Sequence, residues 1–555
     1  MWNVTGGYER YAYGGFFINN MTAIMAVIFL AFLFLIVLNY KEIAKPFRKI
    51  SKRTWLILAI IFVVGFVLRN AVYSYGWGYD GVFYTETANS MFQTGLFVKG
   101  CAIGNVSDCI LYHQVLFPAG FPFLIVLLYS FLGQNAVFGM MLTGFLGSLT
   151  IIVVFLIAYR LFGKEDAGLF SAIVFTLIPL EIMINGTGAV RPVSSFFMAL
   201  SVLFFILAMD KNKVGLWSLF AITLSFTIYT RQENSVLLLP LSLLFVWKNR
   251  KEIATLKAHK IERTLKKCWL PIVIFFVSQI PVQHWILYGN VSFNGFKPIF
   301  GAEYFYHTAP VVLTLLFTKY THINALFNPV VSLVFFSGIF FAFFGKYRTQ
   351  IIFLWAWFVT FFVLNASYFL CNGYPQVDCI GSEVRYMTTL SLPYALISGL
   401  VLYKITGKNT KKRTAFMAAS FIFILFTSFA VSGMTLPTTF MKDGRLDEPY
   451  IGDAIRAINK TGKDCLLFVS QSTLPNSDLL DKNSRKWIDI DLIMNSTLPW
   501  VFEEVSNSKC MVYISDYRCR DYRDEQCEFM YKNFDMELMF KENAIEAYRL
   551  TLKQQ

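Results

Sequence analysis

LFPAGFPFLIVLLYSFL, residues 116–132, is the stretch on which the topology of this chain turns. It carries no charge and approaches the roughly 20 apolar residues that cross a bilayer. Apolar runs at about 16–39, 55–73, 136–159, 166–184, 192–209, 215–230, 234–247, 269–287, 329–345, 350–370, 386–403 and 414–432 are read as spans. If 116–132 does not cross, the basic segments Lys41 to Arg53, Arg160/Lys164, Lys211/Lys213, Lys248 to Lys267, Lys346/Arg348 and Lys404 to Arg413 all fall on one side. The positive-inside rule makes that side cytoplasmic and places both termini outside. If 116–132 did cross, every later loop would change sides and the basic segment 248–267 would lie outside. The stretch is therefore expected to be a re-entrant or juxtamembrane helix on the outer face. Pro118 and Pro122 suit a helix that begins there without spanning.

Composition agrees with a polytopic α-helical membrane protein. Of 555 residues, 56% are hydrophobic and only 15% charged, with a mean hydropathy of +0.53. The 58 phenylalanines suit lipid-facing and core packing, and also a greasy groove for an isoprenoid tail. A net charge of +14 raises nucleic acid as a partner. The lysines and arginines sit in short inter-helix loops, however, where they set topology, so no nucleic acid is expected and membrane lipids are. The first apolar run starts after Phe16 and is too long for a removable signal peptide.

Cysteines and glycosylation sequons test the sidedness. Cys101/Cys109, Cys371/Cys379 and Cys519/Cys527 are each eight positions apart and fall on the outer side. Cys465 and Cys510 precede two similar apolar runs, LLFVS and MVYIS, readable as neighbouring strands that start at one level. Cys268 alone is left at the cytoplasmic edge. Four disulfides outside and one thiol inside fit an oxidising exterior. Sequons at Asn3, Asn105, Asn185, Asn290, Asn365, Asn459 and Asn495 also map outside or to outer helix ends.

The expected layout is a membrane domain over 1–436, with outer loops 74–135 and 288–328, and an extracytoplasmic α/β domain over 437–555. The latter interleaves helical and strand patterns and has no Gly-rich phosphate loop.

The outer loop after the second span reads GWGYDGVFYTETANSMFQTGLF, residues 76–97. A span followed by an outer Asp, with Tyr four and Glu six residues on, resembles the membrane-embedded GT-C glycosyltransferases. Protein O-mannosyltransferases and lipid A aminoarabinose transferases are the most similar members. The resemblance continues through PAGFPFLIVLLYSFLG, YRLFGKEDAG, INGTGAVRP, YTRQENSVLLLP and the pair Arg385-Tyr386, covering about residues 55–432. It implies a GT-C fold that holds a polyprenyl- or dolichyl-phosphate sugar, with Asp80 as the base. Three departures stand out. Gly81 follows Asp80 where many relatives have Glu, Arg191 stands in the outer turn where many have an acid, and Arg231 replaces the usual Lys of the Thr-Lys turn. The first two remove the expected partners of an acidic pair and argue against a divalent metal site. Glu181 lies one or two turns before that outer turn. No WWDYG-type sequence occurs, which argues against transfer of whole glycans to Asn.

The chemistry points the same way. A lipid phosphate is already a good leaving group, so the reaction needs a base for the acceptor and cations for the phosphate. No cofactor is required. Asp80, near apolar surface, suits the base; it also suits an N-cap for the helix that follows. Glu86 either lies on a face near Asp80 and orients the acceptor or is a solvated helix residue. Tyr84 is one turn from Asp80, within reach of a hydrogen bond, and Tyr is also common at interfaces. His113 touches donor or acceptor, or has no role. Arg191, Arg231 and Arg385 sit at outer helix ends, against the statistical placement of positive charge, and are candidates to clamp the phosphate. The ordinary alternatives are snorkelling or pairing with Glu233 and Glu383. Arg231, Glu233, Arg385 and Tyr386 fall in the segments that carry the resemblance.

The reaction class implied is an inverting glycosyltransferase with its active site outside the cytoplasm, in an archaeal or bacterial plasma membrane or the endoplasmic reticulum. Its acceptor is a glycan, protein or lipid. The alternative class is a transporter or flippase of lipid-linked sugars; such proteins place ionisable groups at the midplane and often carry an internal repeat. These spans are nearly free of acids and show no repeat.

Overall fold

A helix satisfies its own backbone hydrogen bonds, which lipid does not, so apolar segments of this length fold as helices. The computed structural model describes residues 4–71, 80–98, 101–103, 111–112, 117–135, 137–254, 258–284, 301–318, 326–343, 345–367, 384–406 and 410–432. Towards the C-terminus it describes 457–458, 460–461, 465–469, 487–490, 508–515, 525–542 and 545–553. Of Asp80 and Arg385 it describes the backbone alone.

The helices are α1 (Val4–Ala44), α2 (Lys52–Asn70), α3 (Asp80–Thr94), α4 (Gly120–Leu132), α5 (Val137–Phe162), α6 (Glu165–Thr176), α7 (Pro179–Ile184), α8 (Arg191–Lys211) and α9 (Val214–Thr230). They continue with α10 (Leu238–Ala254), α11 (Ala258–His284), α12 (Ala302–Leu315), α13 (Pro329–Phe343), α14 (Arg348–Ser367), α15 (Thr388–Ile405) and α16 (Thr410–Ser432). Among the described residues, seven helices are long and apolar enough to cross a membrane, and four further apolar helices, α4 and α9 among them, are shorter. The stretch that posed the topological question, 116–132, forms α4, whose residues from Gly120 to Val126 are buried by protein. At 13 residues α4 reaches about 20 Å, short of the roughly 30 Å hydrocarbon core. α1 begins well before the apolar run itself.

The run read as one span over 166–184 is two helices, and the cause is local. Pro179 has no N–H for the carbonyl of Phe175, and Leu180 N donates to Leu326 O instead of to Thr176 O. Both carbonyls freed by the break accept from one guanidinium. Arg69 of α2 donates from Nη2 to Phe175 O at 2.9 Å and from Nη1 to Thr176 O at 3.1 Å. Charge-assisted bonds of this kind stabilise by about 1.5–3 kcal/mol each. Glu181, fully buried in α7, lies in the field of Arg69. The broken helix is thus a fixed feature, and α7 leads directly into the turn that precedes Arg191.

At the opposite end of the bundle, acids staple the basic loops. Asp210 pairs with both Arg160 and Lys248, Glu42 with Lys213 and Asp166 with Arg413. Glu165 accepts from Ser51 N and from the hydroxyls of Ser51 and Thr54, closing the N-terminus of α2.

One sheet joins two distant parts of the sequence. Its strands are β1 (Cys101–Ile103), β2 (Leu111–Tyr112), β3 (Leu466–Val469), β4 (Trp487–Asp489), β5 (Met511–Ser515), β6 (Phe534–Glu542) and β7 (Ile545–Leu552), in the order β2-β1-β4-β3-β5-β7-β6. β3 runs parallel to both β4 and β5, and both β3 and β5 are buried along their length, as continuous apolar central strands should be. Ile103, in the first outer loop, pairs with Ile488, so the loop that follows α3 contributes two strands to the C-terminal sheet. Cys465 and Cys510 form a disulfide at the start of β3 and β5, where Leu466 N also donates to Cys510 O at 2.9 Å. Cys527 is disulfide-bonded as well; Cys109, Cys371, Cys379 and Cys519 lie outside the described residues. Replacing Cys465 and Cys510 by Ser is expected to cost about 2–4 kcal/mol of stability, seen as a lower thermal midpoint than wild type under non-reducing conditions.

Two sequon expectations are corrected. Asn185 and Asn365 are 1% and 3% exposed, and their side-chain amides donate to Glu181 O and to Tyr386 O and Thr389 Oγ1, respectively. A glycan needs that amide at the surface, so neither is an acceptor in the folded chain. The other five sequons named above lie outside the described residues.

Candidate active site

The site begins where α9 ends. Arg231 is the C-cap, its N–H donating to Thr227 O at 3.2 Å. Residues Gln232–Leu237 then make a 3-10 turn. Buried Asn234 fixes that turn, donating to Ser194 Oγ at 2.7 Å and to Thr227 O at 2.9 Å, so it ties α9 to the start of α8. There Arg191 is the first helical residue, followed by Pro192 at a position where a missing N–H costs nothing.

A cation at a helix N-terminus opposes the helix dipole, and a neighbouring acid compensates. Glu233 Oε1 lies 3.1 Å from Arg191 Nη1 and 2.6 Å from Arg231 Nη2, and it also accepts from Arg231 Nε at 2.6 Å. The two arginines thus share one carboxylate oxygen, and for Arg231 this is the pairing with Glu233 that the sequence left open. Burial pushes the Glu233 carboxyl up, but the Arg231 and Arg191 guanidiniums outweigh it and hold it down at about 2. The ring of Tyr386 covers both arginines, with its centroid 3.9 Å from Arg191 Cζ and 5.3 Å from Arg231 Cζ. Asn365 holds the Tyr386 carbonyl at 3.1 Å. Arg191, Arg231, Glu233 and Tyr386 thus come together from three separate segments.

Two close backbone approaches bring the outer loop to this cluster. A Cβ built on Gly81 would lie 2.9 Å from Thr187 O and 3.3 Å from the carbonyl carbon of Gly188. The first turn of α3 therefore rests against the turn that runs into Arg191. A Cβ on Gly120 would lie 2.6 Å from Tyr229 O and 3.0 Å from Thr230 N, which seats α4 on the end of α9 just before Arg231. The departure from the Asp-Glu pattern has a steric reason: position 81 has no room for a side chain. Installing Glu at Gly81 is expected to displace α3 and lower the thermal midpoint below that of wild type. Gly81→Ala should lie between this variant and wild type in the same assay.

Asp80 opens α3. Tyr84, 1% exposed, packs with ring centroids 5.0 Å from Phe117 and 5.1 Å from Phe121, binding α3 to α4. α3 is continuous from Asp80 to Thr94, so Glu86 lies about 120° around the helix from Asp80; the two do not share a face. His113 and the side chains of Asp80 and Arg385 lie outside what is described. Among the described residues, no three His, Cys, Asp or Glu side chains gather as a metal site would need. Asn234, which holds one turn, was not singled out from the sequence, and Asn365, which holds the other, was read there only as a sequon. For Asn234 the available signal was its place in YTRQENSVLLLP.

Residues 117–285 match the family model described as dolichyl-phosphate-mannose-protein mannosyltransferase, a segment that includes Arg191, Arg231 and Glu233. Solved structures match over nearly the whole chain. ArnT from Cupriavidus metallidurans bound to undecaprenyl phosphate is 15% identical with a TM-score of 0.55, covering 90% of this chain and 98% of that one. The oligosaccharyltransferase of Archaeoglobus fulgidus in its apo form is 10% identical with a TM-score of 0.54, covering 90% of this chain and 74% of that one. The archaeal oligosaccharyltransferase AglB from Archaeoglobus fulgidus, in complex with an inhibitory peptide and a dolichol-phosphate, gives a TM-score of 0.53 at 10% identity, covering 91% of this chain and 74% of that one. A comparison with curated proteins finds no match. The fold is that of a GT-C membrane glycosyltransferase.

Proposed function

We propose that this protein is an inverting glycosyltransferase that moves a monosaccharide from a polyprenyl- or dolichyl-phosphate to an acceptor at the outer, lumenal or extracellular, membrane face. The observation that carries this is the shared grip of buried Arg191 and Arg231 on one carboxylate oxygen beneath Tyr386, beside the turn on which the Asp80 helix rests. Two guanidiniums at outer helix ends suit a lipid phosphate that approaches from the bilayer. The ligands named in the solved relatives, undecaprenyl phosphate and a dolichol-phosphate, have the same chemistry.

In the reaction the Asp80 carboxylate takes the proton of an acceptor hydroxyl. The acceptor oxygen bonds to the anomeric carbon as the bond from that carbon to the phosphate oxygen breaks. The electron pair stays on the lipid phosphate, where Arg191 and Arg231, with Arg385 beside Tyr386, balance the developing charge. One displacement inverts the anomeric centre. Arginine takes the place of a divalent metal, so EDTA should leave the rate unchanged. The acceptor, a glycan, protein or lipid, reaches the site from outside the cytoplasm. Residues 1–436 form the catalytic domain and 437–555 the extracytoplasmic one, with both termini outside, in a plasma membrane or the endoplasmic reticulum.

The test is purified full-length protein in liposomes with a labelled polyprenyl-phosphate sugar on its active-site side. Label appearing in the acceptor supports transfer. Label crossing the bilayer with its lipid linkage intact would make the protein a transporter instead.

A further inference from the structure

We propose that Arg69 is a positioning residue for sugar transfer: by gripping the break between α6 and α7 it fixes the spacing between the start of the Asp80 helix and the start of the Arg191 helix. This rests on the reading above, in which Asp80 is the base and Arg191 receives the phosphate.

Two stretches of chain lead from Arg69 to the site, and they meet again there. Along the sequence, α2 ends at Asn70 and α3 opens at Asp80. Across the break, Arg69 donates to the carbonyls of Phe175 and Thr176, from which α7 runs into the 185–190 turn and Arg191. The two stretches touch where the Gly81 backbone rests on Thr187 and Gly188. They form a frame with a hydrogen-bonded base and a steric contact at its top. Asp80 comes one residue before Gly81, and Arg191 three residues after Gly188.

The top of the frame has little stiffness of its own. Gly186 and Gly188 take φ of 77° and 73°, and glycine leaves a turn conformationally free. α7 has only six residues, too few to persist as an isolated helix. The place of the turn is therefore set by what holds α7. Leu180 N donates to Leu326 O at 3.0 Å, and Leu177 O accepts from Ser428 Oγ at 3.1 Å, but neither bond reaches α2. The Arg69 bonds do, and α2 is the helix that leads into the Asp80 loop. Arg69 itself has no room to move. It is fully buried, its Cζ lies 5.5 Å from the centroid of the Phe175 ring, and a Cβ built on Gly65 would lie 3.3 Å from its Nη1. Its planar fork spans two successive carbonyls, which the point charge of an ammonium does not reproduce. Glu181, equally buried, supplies the opposite charge.

The test is Arg69→Lys in full-length protein in liposomes, with kcat and donor KM measured for transfer from the labelled polyprenyl-phosphate sugar. Lysine keeps the buried charge and loses the fork. kcat should fall about tenfold or more, since a misplacement of about 1 Å costs about 10²-fold. Donor KM should stay close to wild type, because Asn234 and Glu233 hold the arginines to α8 and α9 independently of Arg69. In an Asp80→Asn background Arg69→Lys should cost little more, because the group it positions is already lost; residues that act as a unit are non-additive. Unchanged kcat would overturn the proposal, as would a loss carried by donor KM or a full additive loss in the double variant. If Arg69→Lys does not fold, Arg69→Gln combined with Glu181→Gln takes its place with the same outcomes, since removing both charges leaves neither uncompensated. If wild type transfers no sugar from the lipid phosphate, the reading of the site fails, and this inference with it.

Discussion

Arg191→Ala is expected to weaken the lipid donor by about 10²-fold or more, read as a rise in donor KM, with a lowered thermal midpoint. The basis is the burial of the pair. Arg191 is almost inaccessible and shares the Glu233 oxygen with Arg231. Removing one partner of a buried ion pair costs about 3–5 kcal/mol, because the remaining charge is left uncompensated. Here Glu233 would keep only Arg231, and one positive charge facing the phosphate would be lost. Lysine at this position restores the charge but not the planar fork that lies 3.9 Å from the Tyr386 ring, so Arg191→Lys should recover stability more fully than donor binding. Wild-type donor KM in Arg191→Ala would place the phosphate elsewhere.

Asp80→Asn should lower kcat by about 10²–10⁴-fold, the range for loss of a positioned general base. It should leave donor binding and folding close to wild type. Asparagine preserves the shape of the side chain, and the contact of α3 with the 187–188 turn, made through the Gly81 backbone, is untouched. Unchanged kcat in the folded variant would remove Asp80 from the chemistry.

The sequence reads clearly where a single physical rule governs. Spans such as 192–209 and 215–230 are continuous apolar runs between polar turns, and α8 and α9 follow them closely. The break at 177–178 was marked only by Pro179, and nothing in the run showed that Arg69, far away in the chain, takes over the freed carbonyls. Arg191 and Arg231 drew attention because they oppose the charge bias of loops. Their union through Glu233 depends on how α8 and α9 cross, and periodicity does not report it. Gly81 was visible only as a departure from a pattern; the reason is a backbone contact with Thr187 and Gly188. The pairing of Ile103 with Ile488 was out of reach, since strands of two or three residues leave too short an alternation to recognise.

The central claim is a single displacement at the anomeric carbon of a lipid-phosphate sugar. It is tested most directly by the configuration of the first sugar transferred, read by NMR from a donor of known anomeric form under single-turnover conditions. Inversion is the predicted result. Retention would require a glycosyl-enzyme intermediate or a second displacement, and would contradict the role assigned to Asp80.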